Sequence, residues 1–162
     1  MLIFHLTANQ KANLLPVVVF LHGESYDIGS GNVYEAAAVA SFAGNVWVTL
    51  NYRLGALGWC SCFLSTKNDN SPGNYALLDQ VAALHWVKEN IRAFGGDPDR
   101  VTLIGHHYGA AMAHMLAVSP VTKGKFLFQR LILLGGTAFS SWSLQHNPTL
   151  YTQQLANMLN CS

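Results

Sequence analysis

Val101-Thr102-Leu103-Ile104-Gly105-His106-His107-Tyr108-Gly109-Ala110-Ala111 decides the fold. It reads as a short buried strand, a sharp turn between two glycines, and a small-residue helix. That is the layout of a nucleophile elbow, G-x-S-x-G, whose middle residue sits at the tip of a strained strand-to-helix turn. Gly105 and Gly109 carry no Cβ, so strand and helix can approach closely and the turn can take a positive φ. The middle position calls for serine, and His107 occupies it. The scaffold for an attacking hydroxyl is present and the hydroxyl is missing.

The same alternation of strand and helix extends to both sides. Pro16 to Leu21 is a continuous β-branched and apolar run, as in a strand buried on both faces. Val33 to Phe42 is alanine-rich and reads as helix, Gly44-Asn45 as a turn, and Val46 to Asn51 as a second strand. Asn74 to Ala93 is the strongest helix, with Leu77, Val81, Leu84, Val87 and Ile91 along one face. Phe94-Gly95-Gly96-Asp97-Pro98 ends it with turn chemistry. The helix after the elbow runs to about Val118. Leu131 to Leu134 is a fourth strand, and Asn147-Pro148 opens a last helix striped by Tyr151, Leu155 and Met158. Strands alternating with helices predict an α/β fold with a doubly wound, mostly parallel sheet and flanking helices. Residues 1–15 read as a lead-in and 16–162 as part of one domain.

Composition fits the inside of a larger protein better than a complete small one. Charged residues are 10 % of the chain, against about 25 % in an ordinary soluble domain. A net charge of +1 excludes an electrostatic case for nucleic acid or a membrane surface. No apolar run approaches the ~20 residues of a membrane helix. Met1 to Leu6 lacks a basic start and a cleavage-like site, so no signal peptide is expected. Three cysteines, Cys60, Cys62 and Cys161, cannot all pair within one chain. Cys60 and Cys62 are too close for a C-x₂-C metal knuckle.

His22-Gly23, Asn51-Tyr52-Arg53-Leu54-Gly55, Gly73-Asn74 with Leu77-Leu78-Asp79-Gln80, Phe94 to Pro98 and the elbow together resemble the carboxylesterase/cholinesterase family of the α/β-hydrolase fold. The motifs keep their order and spacing from about Pro16 to Cys161. Gly23-Glu24-Ser25-Tyr26 through Gly31-Asn32, Gly136-Thr137-Ala138 with Ser140-Ser141-Trp142, and Leu155 to Cys161 resemble the neuroligins, its non-catalytic adhesion branch. Glu24 and His106 look more like the arthropod members. The resemblance implies a central fragment of a much longer α/β-hydrolase domain, with the catalytic acid and histidine beyond Ser162. It orders the four strands as second, first, third and fourth in chain order, with both sheet edges unpaired. It also implies an extracellular, synaptic parent with one membrane span, a neurexin-like partner and a homodimeric state. Cys161 becomes a disulfide half whose partner lies outside the chain, and Asn160-Cys161-Ser162 is a glycosylation sequon.

Hydrolysis needs a nucleophile, a base oriented by an acid, and an oxyanion hole. Losing a triad serine costs on the order of 10⁶ in turnover. By resemblance the oxyanion donors are the backbone N–H groups of Gly23, Glu24 and Tyr108. A carboxylate at position 24 opposes a developing oxyanion unless it turns away. The elbow Gly105, His107, Gly109 and the region Gly23, Glu24, Tyr108 are therefore expected to be vestigial. No metal or cofactor site is expected: His106 and His107 project differently, and His107 and His114 lie ~10 Å apart on a helix. Asp79 is expected to tie its helix to a loop, Asp97 to bond its own backbone, and Arg53 to partner a buried carboxylate. Trp47, Trp59, Trp86 and Trp142 read as core. The expectation is a non-catalytic adhesion protein fragment. The rival readings are an active carboxylesterase fragment and a non-functional gene-model fragment.

Overall fold

The structure is a computed structural model of the 162-residue chain, and it describes residues 2–4, 14–55, 73–144, 148–158 and 160. The expectations for Trp59, Cys60, Cys62, Asn147, Cys161 and the sequon lie outside the described residues, as do the side chains of Tyr151 and Leu155.

Five strands form one sheet in the spatial order β1-β3-β2-β4-β5. They are β1 (Leu2–Phe4), β2 (Leu15–Leu21), β3 (Val46–Thr49), β4 (Gly96–His106) and β5 (Arg130–Leu134). β2, β3, β4 and β5 are mutually parallel, with Val18 facing Trp47 and Thr102, and Ile104 facing Ile132. Among the described residues four α-helices accompany them: α1 (Ala37–Ala43), α2 (Tyr75–Asn90), α3 (Tyr108–Val118) and α4 (Pro148–Met158). The order of the four parallel strands is the expected one. The lead-in differs: Leu2–Phe4 pairs antiparallel with β3, so the edge expected to be bare there is covered. Three apolar residues suffice for that pairing, and no periodicity that short is legible in a sequence.

Every residue from Val17 to Leu21 is buried, as a central parallel strand requires. Val17, Val19, Leu21, Val46, Val48, Val101 and Leu103 share one core cluster with Leu84, Val87 and Ile91 and with Met112 and Leu116 of α3. That is the sheet face under α2 and α3. Right-handed crossovers place α1 on the opposite face. There Phe20 packs on Tyr34 and Trp47, with ring centroids 4.6 and 6.2 Å away.

The alanine-rich stretch begins its helix later than its composition suggests. Gly31–Val33 is a 3₁₀ turn, held because Gly31 N–H donates to Asn51 Oδ1 at 2.7 Å and Asn32 N–H to Ser30 Oγ at 3.1 Å. Those side-chain bonds compete with helix formation until Ala37. At its far end Gly44 adopts φ 59° and closes α1 with its N–H on Ala40 O.

Candidate functional site

β4 ends at His106 and α3 starts at Tyr108, so His107 alone makes the turn. Its backbone holds φ 49° and ψ −110°. For a residue with a Cβ such a conformation costs of order 1–3 kcal/mol and persists only when the surroundings impose it. The imposing bonds are His107 N–H to Leu134 O at 2.7 Å, and Ala110 and Ala111 N–H to His107 O at 3.0 and 3.3 Å.

Glycine is required around it because backbone lies against backbone. A Cβ on Gly109 would strike Leu21 O, and would stand 2.6 Å from His22 O. On Gly23 it would strike Gly109 N and His106 O, and stand 2.8 Å from Tyr108 N. On Gly105 it would overlap Gly109 O, and on Gly136 it would overlap His107 O. The residues named by the elbow motif thus meet at one point, at the carboxyl end of β2, β4 and β5, with the Gly23 loop beside them.

The His107 side chain is exposed, and its contacts are aromatic. Its ring lies nearly parallel to Trp142, 5.1 Å between centroids and 18° between planes. Tyr108 stands against it at 4.6 Å, edge-on, and His106 is 6.3 Å away. Tyr26 backs Tyr108 at 4.3 Å, and Tyr108 also touches Trp142 at 4.3 Å. Trp142 is positioned by the loop after β5. Ser143 Oγ donates to Ala138 O at 2.5 Å, and Ala138 N–H donates to His114 Nδ1 at 3.2 Å. His114 is thereby engaged in holding that loop.

Glu24 turns to Tyr34, whose hydroxyl donates to Glu24 Oε1 at 2.9 Å. The Glu24 backbone bridges Ile28, and Ser25 and Tyr26 between them carry φ values of 55° and 61°. Beneath this loop His22 is fully buried and stacks on Tyr52 at 4.5 Å. Tyr52 donates its hydroxyl to His22 O. Burial holds the His22 imidazole below its ordinary pKa, against the pull of Glu24. Burial likewise pushes the Tyr52 and Tyr26 phenols well above theirs.

Arg53 and Asp79 form a two-pronged pair, Nε to Oδ2 at 2.8 Å and Nη2 to Oδ1 at 2.7 Å, with Arg53 N–H adding a third bond at 3.0 Å. The pair ties the segment after β3 to α2 and is partly exposed. Asp97 accepts from Asp99 N–H at 3.0 Å and from Arg100 at 2.8 Å. Both carboxylates serve structure, away from the elbow. Among the described residues no three His, Cys, Asp or Glu gather to hold a metal ion. No helix among them is long and apolar enough to cross a membrane.

The sequence reading missed the aromatic set Tyr26, Tyr108 and Trp142, the Glu24–Tyr34 bond and the burial of His22. The one signal for the first was position, since all three aromatics follow the carboxyl ends of strands that the elbow motif already placed together.

The carboxylesterase family model matches residues 3–162. Neuroligin-2 of Mus musculus is 47 % identical over 146 residues, which are 90 % of this chain and 17 % of that protein. Neuroligin-3 of Homo sapiens is 46 % identical over 147 residues, 91 % of this chain and 17 % of that protein. Esterase FE4 of Myzus persicae is 43 % identical over 153 residues, 94 % of this chain and 26 % of that protein. Among solved structures, a PNB esterase superposes with TM-score 0.71 at 41 % identity, covering 78 % of this chain and 26 % of that one. The chain therefore spans about a sixth of the neuroligins it matches.

Proposed function

The chain belongs to the carboxylesterase family, and we propose that it is the central part of a non-catalytic, neuroligin-type cell-adhesion protein. The observation that carries this reading is His107 at the tip of the elbow, with Trp142 laid against its ring. A serine there needs a base to take its proton. An imidazole held between indole and phenol rings presents neither a hydroxyl nor an oriented acid–base pair. Glu24 departs from the family pattern in the oxyanion loop, but its carboxylate turns away to Tyr34, so the case rests on His107. Likeness to neuroligin-2 and neuroligin-3 over nine-tenths of the chain supports the adhesion branch. The whole protein would then be an extracellular, membrane-anchored homodimer that binds a neurexin-like partner, with the contact surfaces mainly outside this chain.

A second reading, an active carboxylesterase, is favoured by two observations. The elbow keeps its strained turn around His107, and the likeness to Esterase FE4 is nearly as high. Hydrolysis of p-nitrophenyl acetate by the full-length protein separates the two. The adhesion reading expects no turnover above the solution background, together with binding of a neurexin-like ectodomain. Turnover abolished by His107→Ala would establish the esterase instead.

A further inference from the structure

We propose that His22 is an acid-sensitive latch that holds the Gly23–Ser30 loop closed beside the elbow, and that proton uptake by its imidazole opens that loop. His22 is the last residue before the loop and is fully enclosed. One face of its ring stacks on Tyr52, with 14° between the planes. Gly29 closes on the Nδ1–Cε1 edge, so tightly that a Cβ there would stand 2.6 Å from Nδ1. Nδ1 lies 3.5 Å from the Tyr52 hydroxyl, and Nε2 meets no hydrogen-bond partner among the described residues. The imidazole is a wedge between the segment after β3 and the far end of its own loop.

A cation in that position is costly, because burying a charge without a hydrogen-bonded counter-ion opposes folding. The titratable groups facing it are Tyr52 from the segment after β3 and Glu24 from its own loop, and Tyr34, ahead of α1, acts on Tyr52 in turn. Glu24 is the carboxylate among them, and it is bonded to Tyr34 instead. The cheapest relief is movement of the loop. Its tip is closed by one 3.3 Å bond, Ile28 N–H to Glu24 O, while Gly55 N–H to Tyr26 O at 2.8 Å and the buried Tyr26 ring anchor its middle, and it carries left-handed backbone at two non-glycine residues, Ser25 and Tyr26. Opening admits water to the ring and frees Glu24 to meet the new charge.

The sign follows from the lowered folded-state value. The unfolded imidazole binds its proton near pH 6.5, so stability contributed by the neutral, buried ring is full above that pH. It is lost as pH falls from there through the folded-state value. Asp79 and Asp97, whose folded values are also lowered, lose their contributions only below the ordinary carboxylate range, outside the test window.

The test compares the protein with His22→Gln between pH 8 and pH 5, using urea unfolding and amide hydrogen exchange. The latch predicts that the unfolding constant of the wild type rises up to about tenfold per pH unit below ~6.5, relative to the variant. It also predicts that amides of residues 23–30 lose protection at pH 5, each rate being referred to the intrinsic rate at that pH, while those of β2 and α3 stay protected. Equal pH dependence in both proteins would overturn it. If the variant does not fold, the His22 ring resonances of the wild type decide. A ring neutral at pH 6, whose later protonation coincides with lost protection in the loop, supports the latch. A ring that protonates at or above pH 6.5 with the loop still protected excludes it.

Discussion

The rings of His107 and Trp142 lie face to face, 5.1 Å apart and 18° from parallel. The side chain at the tip of the elbow thus serves as a post for the loop after β5. An offset aromatic pair contributes about 0.5–1.5 kcal/mol beyond burial. A double-mutant cycle of His107→Ala and Trp142→Ala should return a coupling of that size. Urea unfolding of the four proteins measures it, and additive effects would show that the stack is incidental.

The elbow glycines are predicted to tolerate no side chain. Gly109→Ala and Gly23→Ala each drive a methyl into backbone atoms that cannot yield without moving β2 against α3. Each should cost about 3 kcal/mol or more, the upper end of overpacking. Gly44→Ala is the control, since its Cβ meets nothing within 4 Å and only its φ of 59° resists. That change should cost about 1–2 kcal/mol. Chemical denaturation distinguishes the two classes.

The Arg53–Asp79 pair predicts a pH effect of definite sign. Burial disfavours the Asp79 carboxylate's charge, and the hydrogen bonds from the Arg53 side chain and N–H outweigh it, leaving its pKa below the usual range. The pair's contribution is therefore present above about pH 4 and lost as pH falls through the folded-state value. Asp79→Asn should lower stability at pH 7 and matter progressively less towards pH 3. Denaturation midpoints at the two pH values check this.

β5 ends the sheet with a burial pattern that alternates between exposed and half-buried, Ile132 being 43 % and Leu134 47 % exposed. A long apolar edge is a template for pairing with another chain. Ile132→Lys should reduce concentration-dependent association of the 162-residue chain without changing its unfolding free energy by more than about 0.5 kcal/mol. Light scattering over a concentration series reads the first, and urea unfolding the second.

The parallel strands were legible because a fully buried strand is a run of β-branched residues, as Pro16 to Leu21 is. The elbow was legible because its glycines are a steric necessity that leaves a fixed spacing. The antiparallel β1 was not, since three residues have no period to read. Gln80 is a polar residue next to Asp79 in the sequence. It is in fact fully buried and directs Nε2 to Met112 Sδ at 3.0 Å. That contact depends on how α2 and α3 meet, which no local pattern encodes. The Trp142 stack is hidden for the same reason, because it joins two loops 35 positions apart in sequence numbering, from His107 to Trp142.

The central claim is that this elbow forms no covalent ester adduct. The direct measurement is exposure of the full-length protein to a fluorophosphonate, followed by peptide mass spectrometry across the Gly105–Gly109 turn, with an active serine esterase treated in parallel. The account predicts an adduct on the esterase's serine and none on His107. A stoichiometric phosphonyl group on His107 would contradict it.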